Sequence, residues 1–314
     1  MKRVKSITTG RSLLAAVAIV SGLVVGTGQL TAASTQLAVG PAPGGADSMQ
    51  VGGRGIEATV ITADDHPQVF ASADKARDGL GFPVGVSKVG RHVHDTDQKV
   101  DYDEVSEMSA TGQPLALTQF DGAGRLKTAV RFDMIGTGGS RISGDAAAKA
   151  ADRSLKSSGL AVSGQARTDA TGSDGGWDIH WDRVQDGLSV RGDEVRVHVW
   201  PDGRIQTIGR TEHELAAAPT TRLSQADARS VATAQLNRWS GSGKTAYAIA
   251  GMSTEWVGPN AAFDATKLDD APAPYRLSWV INVKPTGTAA DYVRLITLYV
   301  DAGDGSIIGG DVVE

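Results

Sequence analysis

The sequence predicts an α+β protein made of two tandem modules, each a helix packed on an antiparallel sheet. Three observations predict it. First, one pattern occurs twice in the C-terminal half: an alanine-rich helix, an aromatic-led strand, an apolar strand running into an Asp-Gly turn, and a short closing strand. Second, the helical stretches carry small apolar residues at helical spacing. Third, the strand stretches alternate apolar and polar residues, which leaves one face of an antiparallel sheet for the helix to cover. A repeat of this kind decides architecture before any single motif is weighed.

The elements follow in chain order. Residues 1–33 read as a secretory signal peptide: Lys2, Arg3, Lys5 and Arg11, then an uncharged stretch from Ser12 to Leu30, then Thr31, Ala32 and Ala33 at a cleavage point. If the segment is retained instead, it anchors the chain to a membrane. Residues 34–55, with Pro41-Ala42-Pro43-Gly44-Gly45, read as a flexible linker. Residues 56–140 read as a strand-rich region with candidates at Val84–Val93, Leu115–Phe120 and Arg125–Phe132. The last two flank Asp121-Gly122-Ala123-Gly124, a hairpin turn. A short helix at Asp74–Leu80 would make this region a degenerate third copy, and the glycine-rich stretch Ile135–Ser140 reads as a hinge.

The first module, residues 141–218, opens with Ser143 as a helix cap over Asp145–Lys156. Its strands are Trp177–Val184, with Trp177, Ile179, Trp181 and Arg183 on one face, then Val190–Trp200 and Ile205–Gly209. The second module, residues 219–314, starts with Ser224 and Asp227 as a weak capping box, followed by Ala228, Val231, Ala232 and Leu236 at helical spacing. Strands follow at Tyr275–Val283, Tyr292–Val300 and Ser306–Val312.

Two stretches carry a family resemblance. Gln185-Asp186-Gly187-Leu188-Ser189-Val190-Arg191-Gly192-Asp193-Glu194-Val195, with Val197-His198-Val199 and Asp202-Gly203-Arg204, resembles the core of the fungalysin/thermolysin-type propeptide module. Tyr275-Arg276-Leu277-Ser278-Trp279, with Leu298-Tyr299-Val300-Asp301-Ala302 and Gly305-Ser306-Ile307, resembles the PepSY domain. The tandem is similar to the propeptide of thermolysin-type metalloproteases. Such proteases carry a His-Glu-x-x-His helix, which this sequence lacks. The resemblance therefore implies the propeptide's role without its protease: binding an extracellular peptidase to inhibit or regulate it. The alternative is an envelope-associated structural or sensing PepSY protein with no peptidase target.

Composition narrows the function classes. The chain has 314 residues, net charge −5 and no cysteine. Without the four cations of residues 1–33 the charge becomes about −9. Such a surface argues against nucleic acid, which is held by clustered Lys and Arg. The missing cysteines exclude disulfides, thiol catalysis, thiolate zinc sites and lipoprotein attachment. A secreted or extracytoplasmic protein must then rely on its core, and about 280 residues suffice for one or two.

Individual motifs point to structure rather than chemistry. Gly241-Ser242-Gly243-Lys244-Thr245 ends like a phosphate loop, but Arg238 stands where the first glycine belongs and the segment follows a helix. Arg191-Gly192-Asp193 spells an adhesion tripeptide inside the repeat and reads as coincidence. His92, His94, Asp95 and Asp97 form the one dense group of metal-ligand types, and His92 and His94 would share a strand face. Lys99 and Val100 break the EF-hand spacing, so the group reads as a solvated strand end. The other histidines, His66, His180, His198 and His213, are scattered, and His180 and His198 could face each other across strands. No Gly-x-Ser-x-Gly elbow occurs. Of the six tryptophans, Trp200, before a proline turn, is the one expected to be exposed toward a partner. The sequence thus assigns no catalytic residue, cofactor or metal ligand, and it leaves the partner-binding surface unassigned. The expected partner is a protein, with no enzyme activity in the chain itself.

Overall fold

The computed structural model describes residues 56–96, 99–133, 140–162, 166–170, 176–240, 245–260, 262–263, 273–287, 290 and 293–313. The signal segment, the linker, Asp97, most of the glycine-rich stretch before Ser140 and the loop 241–244 lie outside them. Among the described residues there are three helices: α1 (Pro67–Leu80), α2 (Gly144–Ser158) and α3 (Gln225–Ser240). Thirteen strands accompany them. β1 (Ile56–Ile61) precedes α1. β2 (Ser87–Asp95), β3 (Val100–Met108), β4 (Pro114–Asp121) and β5 (Leu126–Arg131) follow it. β6 (Arg167–Ala170), β7 (Trp177–Gln185), β8 (Leu188–Val199) and β9 (Ile205–Thr211) follow α2. β10 (Thr245–Val257), β11 (Arg276–Gly287), β12 (Leu295–Asp301) and β13 (Ile307–Val313) follow α3. Chain order is therefore a helix and then four strands, three times.

This regularity does not produce the expected modules. The strands join into one 13-stranded mixed sheet with three helices, not tandem helix-on-antiparallel-sheet units, and strand dominates over helix. The reason lies in edges. β9, expected to close the first module, has its free edge taken by β5, with Thr128 opposite Gly209 and Val130 opposite Thr207. Alternation within a strand says which residues face a core; it does not say which strand comes next. Among the described residues the strands pair antiparallel except at Trp256 and Val190, where β10 meets β8 in parallel.

The described residues fall into two compact units. One runs through Asp182 and includes Glu194–Thr211; the other holds Arg183–Asp193 and the described residues from Glu212 onward. In the first unit α1 and α2 lie side by side, so close that a Cβ on Gly79 would overlap the Ser157–Ser158 backbone. Ala73, Ala76 and Leu80 of α1, with Ala147, Ala151 and Leu155 of α2, share one core with Val105, Ala116, Phe120, Ala129, Ile179, Trp181, Val197 and Ile208. Small residues on both helices permit this approach. In the second unit Ala228, Ala232 and Leu236 of α3 pack on Ile281, Val283, Leu298 and Val300.

Local signals place the helices. Ser143 Oγ accepts from Ala146 N at 3.2 Å, and Ser224 Oγ accepts from Asp227 N at 3.2 Å. Each cap satisfies an N–H left orphaned at a helix start. The expected Asp121 turn is present: its carboxylate accepts from Ala123 N at 3.0 Å and Arg125 N at 2.9 Å. β1, β3, β6 and β10 escaped the sequence reading. β3, Val100-Asp101-Tyr102-Asp103-Glu104-Val105, is too charged to alternate cleanly.

Candidate functional site

Among the described residues, three groups of polar side chains contain histidine. The first, in the second unit, surrounds Arg191-Gly192-Asp193. Gly192 has φ +81°, a left-handed conformation that suits glycine and breaks the alternation of β8. Asp193 is fully buried. One of its carboxylate oxygens accepts from Arg183 Nη1 at 3.0 Å and His213 N at 2.9 Å, while the other lies 2.5 Å from His213 Nδ1. The His213 ring stacks on Tyr275, with centroids 4.2 Å apart and planes 12° from parallel. Burial, aided by the charge of Asp193, pushes the Tyr275 phenol up to about 12. Arg191 reaches Glu255 at 3.1 Å and Asp311 at 3.7 Å, and its guanidinium sits 5.6 Å from the Tyr299 ring centre. Tyr299 donates to Asp311 in turn.

Both charged ends of the tripeptide are therefore engaged by other residues of the second unit, with Asp193 fully buried and Arg191 38% exposed. Asp193 and His213 form an orienting pair of the type a general base needs. Among the described residues no hydroxyl is hydrogen-bonded to His213, so the third member of a nucleophilic set does not join it. Sequence reasoning missed this group because Arg183, Asp193, His213 and Tyr275 are far apart in the chain and only the turns bring them together.

The second group lies on the face of β7 and β8 away from the helices. His180 and His198 do not pair with each other. His180 is buried; its Nδ1 is 3.2 Å from Glu194 Oε2 and 3.2 Å from Arg196 Nε. His198 Nδ1 is 2.9 Å from Asp178 Oδ1, and that bond holds the Asp178 carboxyl below the usual carboxylate range. The third group lies on β2 and β3. The register sets His92 opposite Asp103 and His94 opposite Asp101. Nδ1 of His92 is 2.8 Å from Asp103 Oδ1, and Nδ1 of His94 is 2.6 Å from Asp101 Oδ1. Hydrogen bonding to Asp101 raises the His94 imidazole, helped by the charges of Asp101, Glu57 and Asp95. Asp95, offered by the sequence as a possible ligand, is buried on the opposite face.

Trp200 is not the exposed contact residue the sequence predicts. It is buried, with the Arg204 guanidinium 5.1 Å and the Arg131 guanidinium 5.9 Å from its ring. The turn that seemed to present it instead folds Arg204 over it, and Arg131 at the end of β5 supplies the second cation.

The sheet edges differ in how they are finished. β13 pairs with β12, and on its other side Asn260 occupies it: Asn260 Nδ2 donates to Gly310 O at 3.0 Å, Gly310 N donates to Asn260 Oδ1 at 3.0 Å, and Asn260 N donates to Ile308 O at 3.0 Å. An asparagine thus stands in for a neighbouring strand. β1 pairs with β2 alone, and among the described residues no group bonds its outer edge. Val60 on β1 is 68% exposed. No helix among the described residues is long and apolar enough to cross a membrane.

No family model matches the sequence, and no curated protein matches it. Among solved structures, the Bacillus megaterium YpeB C-terminal domain aligns with 81% of this chain and 99% of its own length, at 12% identity and a TM-score of 0.39.

Proposed function

We propose that this chain is a non-catalytic, extracytoplasmic protein-binding module that captures an extended segment of a partner peptidase and thereby inhibits or regulates it. The observation that carries this reading is the outer edge of β1, which no described residue pairs. An unpaired edge offers alternating N–H and C=O groups to an incoming strand, and exposed side chains such as Val60 add apolar contact. The edge at β13, in contrast, is occupied by Asn260 among the described residues. The peptidase class comes from the resemblance of Tyr275–Trp279 and Gln185–Val195 to propeptide and PepSY segments. The engagement of Asp193, His213, Asp178 and Glu194 in pairwise contacts supports a structural use of the titratable residues.

The test is an inhibition titration of a thermolysin-type peptidase, read alongside a gel that checks whether the protein stays intact. Saturable inhibition that weakens at least tenfold in Val60→Lys, with an unchanged unfolding midpoint, is the expected result. Absence of inhibition up to about 10 μM, which corresponds to binding weaker than roughly −7 kcal/mol, would sink the peptidase reading and leave the structural or sensing alternative.

A further inference from the structure

We propose that His92 and His94 chelate a divalent transition-metal ion through their Nε2 atoms, with Asp103 and Asp101 as outer partners that hold the rings. Four observations carry this. The two histidines alternate along β2, so both project from one face. That face is covered at Gly90, where Phe70 of α1 lies against it, and it is open beyond: the His92 and His94 side chains are 48% and 46% exposed. Each ring has its Nδ1 within hydrogen-bond distance of a carboxylate on the facing strand. When Nδ1–H donates to that carboxylate, the neutral ring carries its lone pair on Nε2, and the ring orientation is fixed. This is the arrangement that metal-bound histidines adopt, with the second nitrogen tied to a carboxylate that raises ligand basicity. Finally, Glu57 of β1 stands opposite His94 and adds negative charge beside the pair.

The chemistry selects the ion. Two imidazoles favour copper(II), nickel(II) or zinc(II) over magnesium or calcium, and copper(II) binds most tightly in that series. Among the described residues no group of three or more His, Asp or Glu converges to hold a metal ion. Among the described residues the two imidazoles are then the protein's ligands, and water completes the coordination. This inference does not rest on the peptidase reading, since β1's open edge and the β2 imidazoles are tested by different variants.

The experiment is calorimetric titration of the purified chain with copper(II), with nickel(II) and calcium(II) as comparison ions, followed by electron paramagnetic resonance of the copper complex. The expected result is one saturable copper site below about 100 μM, weaker nickel binding, no calcium binding at these histidines, and hyperfine structure from two nitrogens. His92→Gln and His94→Gln should each weaken binding at least tenfold without moving the unfolding midpoint, and the double variant should abolish it. Asp101→Asn and Asp103→Asn should each weaken it roughly tenfold. Binding unchanged in the double histidine variant, a spectrum with fewer than two nitrogens, or no saturable binding would each overturn the proposal.

Discussion

The helices start in two different ways. At α2 and α3 the same device occurs in both units. Trp177 Nε1 donates to Ile142 O at 3.1 Å, and Trp279 Nε1 donates to Leu223 O at 3.0 Å. Ile142 and Leu223 each directly precede a capping serine and pack on the core. The tryptophan that opens or occupies a strand thus ties down the residue before the cap. At α1 neither part is present: His66 makes no side-chain cap, Pro67 begins the helix, and Phe70 secures it by filling the space above Gly90. Proline at the first position lacks the N–H that a cap would satisfy, so the start is stable without one. The difference teaches that one local architecture can be reached through hydrogen bonds or through shape, and only the first leaves a repeated signature in the sequence.

The largest way to break this comparison is Trp279→Ala. Loss of its packing and of the bond to Leu223 should cost about 3 kcal/mol, seen as a lower denaturant midpoint. Trp279→Phe keeps most of the ring and isolates the hydrogen bond, at about 1 kcal/mol. Equal costs for the two variants would show that the bond, not the packing, dominates. Asp193→Ala should rank close behind Trp279→Ala, since it strips a fully buried carboxylate from Arg183 and the His213 backbone; removing one partner of such a pair costs up to about 3 kcal/mol.

Smaller effects sharpen the contrast. Ser143→Ala and Ser224→Ala should each cost about 1 kcal/mol. His66→Ala should be near neutral in the same assay, because there is no cap to lose; a matching cost at all three positions would erase the distinction. The smallest effect is a pH slope. The His198 bond lowers the folded-state pKa of Asp178, so the unfolded chain binds the proton more readily. That stability is present above the unfolded value, near 3.9, and is lost as pH falls through the folded one. Asp178→Asn should flatten the decline in stability below about pH 4, measured by denaturation at a series of pH values.

Much of the local structure was legible. Ser143 and Ser224 announced two helix starts, Asp121-Gly122 and Asp202-Gly203 announced turns, and the alternation of Trp177, Ile179 and Trp181 announced a core-facing strand. All of these are interactions among residues a few positions apart, or a periodicity that burial imposes on one strand. The Arg183–Asp193–His213–Tyr275 group was not legible, and neither was the carboxylate behind each β2 imidazole. His92 and Asp103 become partners only because β2 and β3 pair in one register, and a shift of one residue would turn Asp103 to the other face.

Trp200 and the fold class show the same boundary. The tryptophan before a turn was readable as a residue; its burial depended on where Arg131, a strand away, would point. The repeat of helix and strands was readable as an order; its merging into one sheet depended on β5 meeting β9 and on β10 meeting β8. The sequence by itself determined many of the helical and strand segments, which of their faces are apolar and the serine caps of two helices, because these depend on neighbours along the chain. The tertiary structure decided the sheet's continuity, the capped and open edges and every clustered histidine, because long-range pairing is chosen by which edges and apolar faces can be satisfied together.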